Sequence, residues 1–230
     1  KGFIIIDNLL NDFAKDQIVK LARNKIKSIN KEKFSLADEK LNETIVQKIR
    51  YSKEFIEFFS KLLPYKSLNK KHDIHYLLNY SSLNSKKNTK LNYHFDAFLI
   101  TMVIPINLNE YDNKKVANKI SIIPNLRKET RSFYLNLLYK LFFQNNIFRF
   151  FSNSKLFNYF LKSEEITLKY NQILLFNGFR SLHSTKISSS NISSERIRLI
   201  YHISNPFVEN ILDRFIFNKI KKNRNKKIRN

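Results

Sequence analysis

Two residues with metal-binding side chains stand two positions apart beside an apolar run. His94 and Asp96 precede Phe98–Ile106, which is rich in strand-forming residues. Residues i and i+2 of a β-strand point to the same face, so this spacing predicts an imidazole and a carboxylate side by side. A strand ending near Asn107 is expected here. The His-x-Asp pair alone is a weak signal, because so short a motif arises by chance.

A second group of polar residues near the C-terminus strengthens this signal. His183 follows an apolar strand and a tight turn in "NQILLFNGFRSLHSTKI", and Arg196, Arg198 and His202 alternate along "SERIRLIYHI". Alternation places the last three on one strand face, and cations there need an anion, because unpaired buried charge is costly. We interpret His202 as a pocket-lining residue rather than as a metal ligand.

The residue types at these positions fit one kind of metal chemistry. Two neutral imidazoles and one carboxylate, here His94, Asp96 and His183, would form a facial set of ligands that leaves coordination positions open, which suits Fe(II). An arginine on the next strand can hold a dicarboxylate through paired hydrogen bonds.

The elements around these residues predict an α+β protein. Helical periodicity marks "NDFAKDQIVKLARNKIKSI", with Asn11 or Asp12 as N-cap, and "NETIVQKIRYSKEFIEFFSKLLP". Strand patterns mark "FIII", "DIHYLLNYSSL" and "NKISIIPNLRK", and three strands are expected in the segment from Glu164 to Asn205. Helices followed by strands favour a mainly antiparallel sheet over alternating βαβ units.

A very apolar helical insert is expected at Arg131–Leu161. It could pack against the sheet, or form a lid, a dimer surface or a membrane-surface helix. We hypothesise that it forms one side of the substrate entrance.

Composition limits the class of protein. The 230 residues fit a single domain over residues 1–217 with a basic tail at 218–230, and the absence of Cys excludes disulfides and thiolate ligands. Two glycines exclude a glycine-rich phosphate loop. No signal peptide or spanning segment is recognised, so a cytoplasmic location is expected. The net charge of +23 fits an anionic partner, although a coding bias toward Lys would also raise it.

At these residues the chain resembles the Fe(II)/2-oxoglutarate-dependent dioxygenases. The shared order is an H-x-D pair, a long interval, a distal His and an Arg one strand later. The opening "KGFIIIDNLLNDFAKDQIVKLA" and the pair "HYLLNYSSL" and "LNYHFDAFLITMVIPINL" look like the prolyl-hydroxylase-like branch. The long interval with "SIIPNLRK" is closer to the phytanoyl-CoA-hydroxylase-like branch. The likeness extends from Lys1 to about Pro206.

The resemblance implies a double-stranded β-helix, that is, a cupin-like jelly roll, flanked by N-terminal helices and carrying the helical insert. It implies Fe(II) bound by the predicted ligand set, and a 2-oxoglutarate cosubstrate held by Arg198 or Arg196, of which Arg198 is favoured, with Tyr80 as a second donor. O2 would be the oxidant, and an unactivated C–H bond of a small molecule, lipid or saccharide would be hydroxylated. An anionic substrate fits the positive charge.

Two other functions remain open from the sequence. One is a jelly-roll binding protein that has lost catalysis, which the complete ligand set argues against. The other is a basic nucleic-acid-binding or demethylating member of the same superfamily. The aromatic residues lie in apolar helices rather than interleaved with Lys and Arg on a strand, which argues against nucleic acid. Peripheral contact with a membrane stays open, as does the oligomeric state.

Overall fold

The structure is a computed structural model that describes residues 2–7, 10–29, 33–37, 41, 44–63, 74–82, 93–106, 118–128, 132–143, 145–152, 154–169, 172–187 and 195–204. Its elements follow the order β1 (Phe3–Asp7), α1 (Asp12–Ile29), β2 (Lys33–Ala37), α2 (Ile45–Tyr51), α3 (Lys53–Leu62), β3 (Ile74–Ser82), β4 (Ile100–Pro105), β5 (Asn118–Ile123), α4 (Phe133–Phe143), α5 (Asn146–Ser152), α6 (Lys155–Phe160), β6 (Glu164–Leu168), β7 (Gln172–Phe176), β8 (Leu182–Ile187) and β9 (Glu195–Ile203). The predicted basic tail at 218–230 lies outside the described residues.

The N-terminal helices begin at side-chain caps. The Asn11 carboxamide oxygen accepts a hydrogen bond from the backbone N–H of Ala14 at 2.9 Å, so Asn11 is the N-cap of α1. The Ser52 hydroxyl accepts from the N–H of Phe55 at 3.2 Å and starts α3. Residues 44–63 therefore contain two helices, separated at Ser52.

The strands form two antiparallel sheets. The large sheet has the order β1-β7-β4-β9-β3-β2, and the small sheet has the order β6-β5-β8. One apolar cluster draws Val103, Leu174 and Phe176 from the large sheet and Ile120 and Ile166 from the small sheet. The two sheets therefore share a core, and the predicted mixture of helices and mainly antiparallel sheet is confirmed.

The other side of the large sheet packs against the N-terminal helices. Ile18 of α1, Val46 of α2 and Phe59 of α3 are fully buried in the same cluster as Leu78 of β3 and Leu199 of β9. Because side chains alternate along a strand, this packing turns every second residue of β3, β4 and β9 toward the helices and the others toward the small sheet. We call these the helix-packed face and the cavity face.

The strand pattern differs from the sequence prediction in three places. The expected strand through His94 is interrupted: His94 forms an isolated bridge with His183, bends follow at residues 97–99, and β4 begins at Ile100. The described residues between Glu164 and Ser204 form four strands rather than three, namely β6 to β9. The edge strand β2 was missed, because its alternation covers only five residues and depends on pairing with β3.

The predicted insert consists of the three short helices α4, α5 and α6. Their inner residues Phe143, Phe148 and Phe157 pack against a small cluster that contains Tyr93 and Phe95. The insert therefore sits beside the chain segment that carries His94 and Asp96. None of the described helices is both long enough and apolar enough to cross a bilayer.

Candidate metal centre

The structure brings His94, Asp96 and His183 together. One possible ligand atom from each lies within 4.8 Å of the others. The Nε2 atom of His183 is 3.4 Å from Oδ2 of Asp96, and the Nε2 atom of His94 is 3.8 Å from Oδ1. The His94 side chain is 41% exposed, whereas those of His183 and Asp96 are 8% and 11% exposed. The group is thus open to solvent on one side.

Backbone hydrogen bonds fix the spacing of the three side chains. His94 and His183 exchange both N–H···O=C bonds at 2.9 and 3.0 Å, so their rings lie side by side with centroids 4.3 Å apart. The N–H of Asp96 then donates to the carbonyl of Gly178 at 3.0 Å. The chain leaves the small sheet after His94 and enters the large sheet at Ile100, so Asp96 lies at the crossing between the sheets.

Gly178 is required at this crossing because the backbone there approaches the site closely. A Cβ atom on Gly178 would overlap the Thr101 hydroxyl and lie 2.8 Å from Oδ2 of Asp96. In the sequence, the Asn-Gly pair indicates a tight turn. The structure shows a second reason why glycine is needed at position 178. Glycine leaves room for the carboxylate.

Neighbouring groups prepare the cluster for a cation. The Thr101 hydroxyl donates to Oδ2 of Asp96 at 2.5 Å. Burial alone would raise the pKa of Asp96, but His183, His202, His94 and the Thr101 hydroxyl lower it well below its usual range. Burial lowers the pKa of His183 to about 4, so that ring is neutral near pH 7. An ionised carboxylate and a neutral imidazole are the forms that bind divalent metals.

The second nitrogen of His183 is also engaged. Its Nδ1 lies 3.2 Å from the Ser181 carbonyl, and an Nδ1–H donor there leaves the Nε2 lone pair facing Asp96. On the other side of Asp96, Nδ1 of His202 is 3.8 Å from Oδ2 and 3.3 Å from the Thr101 hydroxyl. These donor types and orientations fit a bound Fe(II) ion.

Phe95, between the two residues of the His-x-Asp pair, points into a buried aromatic cluster. The Arg127 guanidinium lies 4.1 Å from the ring centroids of both Phe95 and Phe179 and 5.3 Å from that of Tyr139 on α4. Its Nε donates to the Phe179 carbonyl at 2.5 Å. Burial lowers the pKa of Arg127 to about 10, so it remains a cation at neutral pH. Its contacts with the Phe95 and Phe179 rings stabilise the side of the site that faces the insert. Sequence reasoning gave Arg127 no role.

A cavity of about 460 Å³ opens next to the three clustered side chains. Both sheets line it, and Arg198 and Asn79 lie on its wall beside Thr101 and His202. His202 is thus the pocket-lining residue that the sequence predicted. No described residue of the insert lines this cavity, so the hypothesis that the insert forms one side of the entrance gains no support there.

Arg196 and Arg198 share the cavity face of β9, but only Arg198 lines the cavity. Arg196 is 3% exposed, and burial together with the charge of Arg198 lowers its pKa well below the usual value. Burial lowers the pKa of Arg198 to about 10, which leaves it protonated at neutral pH. Within the residues that the structure describes, no carboxylate forms an ion pair with Arg198.

Tyr80 is not brought to the cavity. It is 7% exposed on the helix-packed face of β3 and stacks on Phe34 with ring centroids 5.3 Å apart. The adjacent residue, Asn79, lines the cavity instead and lies opposite Arg198 in the β3–β9 register. Its Oδ1 accepts a hydrogen bond from the Ser35 hydroxyl of β2 at 2.6 Å. The alternation of β3 contained this signal, since Tyr80 follows Tyr76 and Leu78 on one face.

No protein-family model matches the chain, and no curated protein matches it. Solved structures do match. A prolyl 4-hydroxylase from Phytophthora capsici is 14% identical with a TM-score of 0.54; the match covers 91% of this chain, which spans only 61% of that one. A prolyl hydroxylase from Trichoplax adhaerens, solved with a peptide fragment of the hypoxia-inducible-factor oxygen degradation domain, is 13% identical with a TM-score of 0.52, covering 89% and 84%.

A third match is HygX from Streptomyces hygroscopicus, solved with nickel and 2-oxoglutarate bound. It is 8% identical with a TM-score of 0.55, and 89% of this chain and 84% of that one are covered. At such identities the likeness establishes the fold. The chain shares the mixed helical and antiparallel fold of these three structures.

Proposed function

We propose that this protein is an Fe(II)- and 2-oxoglutarate-dependent dioxygenase that hydroxylates its substrate. The observation that carries the proposal is the joint placement of His94, Asp96 and His183 at a cavity that also holds an arginine. A two-His, one-carboxylate set leaves coordination positions open for a chelating cosubstrate and O2. In this proposal the two-sheet fold is a double-stranded β-helix, or jelly roll, and residues 1–217 form one oxygenase domain.

Arg198 is the proposed partner of the distal carboxylate of 2-oxoglutarate. It lies four residues from His202 on one strand face, so the two Cα atoms are roughly 13 Å apart. A dicarboxylate held by the metal ligands at one end would meet the Arg198 guanidinium on the same cavity wall at the other. Arg198 is half-buried, and no carboxylate of the described residues neutralises it, so an anionic ligand would bind it favourably. Its guanidinium offers two parallel N–H donors to a carboxylate.

Arg196 is the less favoured alternative for this contact. It is two residues, or roughly 7 Å, farther along β9 from the metal ligands and does not line the cavity. Asn79 replaces Tyr80 as the proposed second donor, because its side chain shares the cavity wall with Arg198.

The residues of this chain would bind, orient and shield the reactants. Ser181 and Thr101 hold the orientation of His183 and Asp96, and the Phe95–Arg127 cluster keeps water from the back of the site. Bound Fe(II) would supply O2 activation coupled to oxidation of 2-oxoglutarate to succinate and CO2, with one oxygen atom going to the substrate C–H bond.

The proposed substrate class is a small molecule, a lipid or a saccharide precursor. The net charge of +23 favours an anionic one. The cavity of about 460 Å³ is within the size range of small-molecule sites, and the substrate would enter from the exposed side of His94.

The test is an anaerobic titration of the purified chain with Fe(II) and then 2-oxoglutarate, following the weak visible charge-transfer band of the chelate. We expect a band that vanishes in His183→Ala. In Arg198→Ala we expect the band to require about 10- to 100-fold more 2-oxoglutarate, because a charge-assisted bidentate contact is lost.

Arg196→Ala is the matched control, since it removes the neighbouring guanidinium from the same strand. It should change the 2-oxoglutarate requirement by less than about threefold. A folded wild-type protein that gives no band would refute the oxygenase proposal and favour a jelly-roll binding protein without metal chemistry. A larger effect of Arg196→Ala than of Arg198→Ala would exchange the proposed roles of the two arginines.

A further inference from the structure

The outer side of the insert exposes an unusual number of large apolar side chains. Of the eighteen such side chains exposed among the described residues, twelve belong to α4, α5 and α6, and Tyr159 reaches 80%. We call these twelve the outer insert face: Tyr134, Leu135, Leu137, Leu138, Leu141, Phe142, Ile147, Phe150, Phe151, Leu156, Tyr159 and Phe160. Soluble monomers rarely leave such a set together in water, so the face is expected to meet a partner.

The residues of the outer insert face are different from those that pack the insert against the rest of the protein. Phe143, Phe148 and Phe157 on the inner side contact the cluster around Tyr93 and Phe95. Phe143 meets Phe95 edge-on with ring centroids 5.3 Å apart. The three helices are therefore apolar on both sides, which is the pattern of helices that are buried or lie in lipid.

The charge of the insert points to an anionic partner. Residues 132–163 contain four cations and no Asp or Glu, within a chain of net charge +23: Lys140, Arg149, Lys155 and Lys162. Two copies joined through this face would bring these like charges together. An anionic lipid surface instead offers opposite charge to the cations and an apolar layer to the rings.

The dimensions of the insert fit a bilayer surface rather than a span. The helices have 11, 7 and 6 residues, so each is at most roughly 17 Å long, well short of the roughly 30 Å of a hydrocarbon core. Tyr134 and Tyr159 add amphipathic rings of the kind enriched at the headgroup level.

We propose that the outer insert face docks in the plane of an anionic bilayer, with its aromatic and aliphatic side chains in the headgroup–acyl boundary and the positive charge of the insert attracted by the lipid phosphates. The proposal does not depend on the oxygenase chemistry. It would hold the protein at the membrane by the insert, whose inner side packs against Phe95 next to the candidate metal centre.

The absence of Trp from the chain allows a direct test. Phe150→Trp places one fluorophore on the outer insert face, where Phe150 is 77% exposed, and Phe13→Trp places one on α1 at a site that is 69% exposed. Each full-length variant is mixed with phosphatidylcholine vesicles that contain about a third phosphatidylserine or none, the former supplying the negative surface potential. Some vesicles carry brominated acyl chains as quenchers.

We expect the emission of the Phe150→Trp variant to shift to shorter wavelength and to be quenched by brominated lipid in anionic vesicles, and to respond much less to neutral ones. The Phe13→Trp emission should not change. Equal responses of both variants would mean that the basic chain binds vesicles without using the insert, which refutes the proposal. No response of the Phe150→Trp variant would refute it too, and a shift that rises with protein concentration in the absence of vesicles would assign the face to a second copy.

A second variant removes the apolar contribution without adding a probe. Phe150→Ser/Tyr159→Ser/Phe160→Ser should lower the partition constant for anionic vesicles at least about tenfold, because three exposed rings no longer enter the boundary. Phe13→Ser/Ile56→Ser is the matched control, since both side chains are exposed on other helices. Circular dichroism and thermal melting check that both variants keep the fold. Unchanged partitioning of the triple variant would overturn the proposal.

Discussion

Adjacent residues of β9 serve opposite purposes. On the helix-packed face, four side chains are 0% exposed: Ile197, Leu199, Tyr201 and Ile203. The cavity face carries Arg196, Arg198, Ile200 and His202 in between, and all but Arg196 line a space of about 460 Å³. One face therefore fills its space with apolar groups, whereas the other leaves space open and holds cations and an imidazole.

This contrast distinguishes a tightly packed face from a cavity-lining face within one strand. The Tyr201 hydroxyl donates to the Val46 carbonyl at 3.0 Å, and the Tyr201 ring lies 5.0 Å from that of Phe55, so even the polar group on this face is satisfied by the helices. On the cavity face, Arg198 finds no carboxylate among the described residues. A charged side chain without an opposite charge is thus found on the face that borders the cavity, where a bound anion could supply that charge.

The largest expected effect compares two neighbouring truncations. Leu199→Ala should lower the free energy of unfolding by about 2–5 kcal/mol, because Leu199 is fully enclosed between Leu78 and Ile104 in the sheet and by the helices. Ile200→Ala should cost less than about half of that, because Ile200 already borders open space. Urea denaturation measures both values. Equal costs would mean that the cavity face is packed as tightly as the other.

Much of this contrast could be predicted from the sequence. Helical periodicity, with Asn11 or Asp12 as the cap, predicted α1, and the alternation of Tyr76, Leu78 and Tyr80 places these three residues on one apolar face of β3. Both patterns are local, so they predict a helix or a strand face without knowledge of the elements that pack against it. The three clustered side chains could be proposed because their types are rare together and their order resembles that of a known family.

The rest depended on contacts between distant segments. The bend after Asp96 arises because its N–H pairs with Gly178 and that of Leu99 pairs with Ser204, contacts that no local pattern announces. The role given to Tyr80 came from resemblance, although alternation already grouped it with core residues. Applying the two-residue period of the strand strictly places Asn79, rather than Tyr80, on the cavity face, as the structure does.

The second prediction concerns the pH dependence of the cavity face. The pKa of His183 falls from its usual 6.5 to about 4 in the folded chain, because burial disfavours the cation. The unfolded chain therefore takes up this proton first as the pH falls. Stability should be unaffected by His183 above pH 6.5 and should drop by up to roughly 3 kcal/mol between pH 6.5 and about 4.

Metal-free protein is the material for this test, since a bound ion would change the titration. Urea unfolding at several pH values is compared between the wild type and His183→Asn, which lacks the titrating ring. We expect the unfolding free energy of the wild type to fall relative to that of His183→Asn as the pH falls through this range. Parallel curves would show that the ring is solvated and not buried.

The third prediction changes the point where the two sheets cross. Gly178→Ala should weaken metal binding about 10- to 100-fold, because the new methyl group displaces Thr101 and Asp96 from their hydrogen bond. Isothermal titration with a divalent metal measures the affinity. If the clash with Thr101 is responsible, Thr101→Ala combined with Gly178→Ala should lose less affinity than the sum of the two single variants. An additive result would place the damage elsewhere in the turn.

The smallest expected effect tests the two faces of β3 at neighbouring positions and depends on the proposed oxygenase function. Asn79→Ala should raise the 2-oxoglutarate concentration needed for the charge-transfer band by roughly 5- to 10-fold, the value of one hydrogen bond next to Arg198. Tyr80→Phe should leave it unchanged, because Tyr80 lies among the helices with its ring stacked on Phe34. The opposite result would mean that the Tyr80 hydroxyl reaches through the sheet edge to the cosubstrate. In that case the division between the helix-packed face and the cavity face would not hold at the edge of the sheet next to β2. The resemblance to a known family would then predict the cosubstrate contact better than the alternation of side chains does.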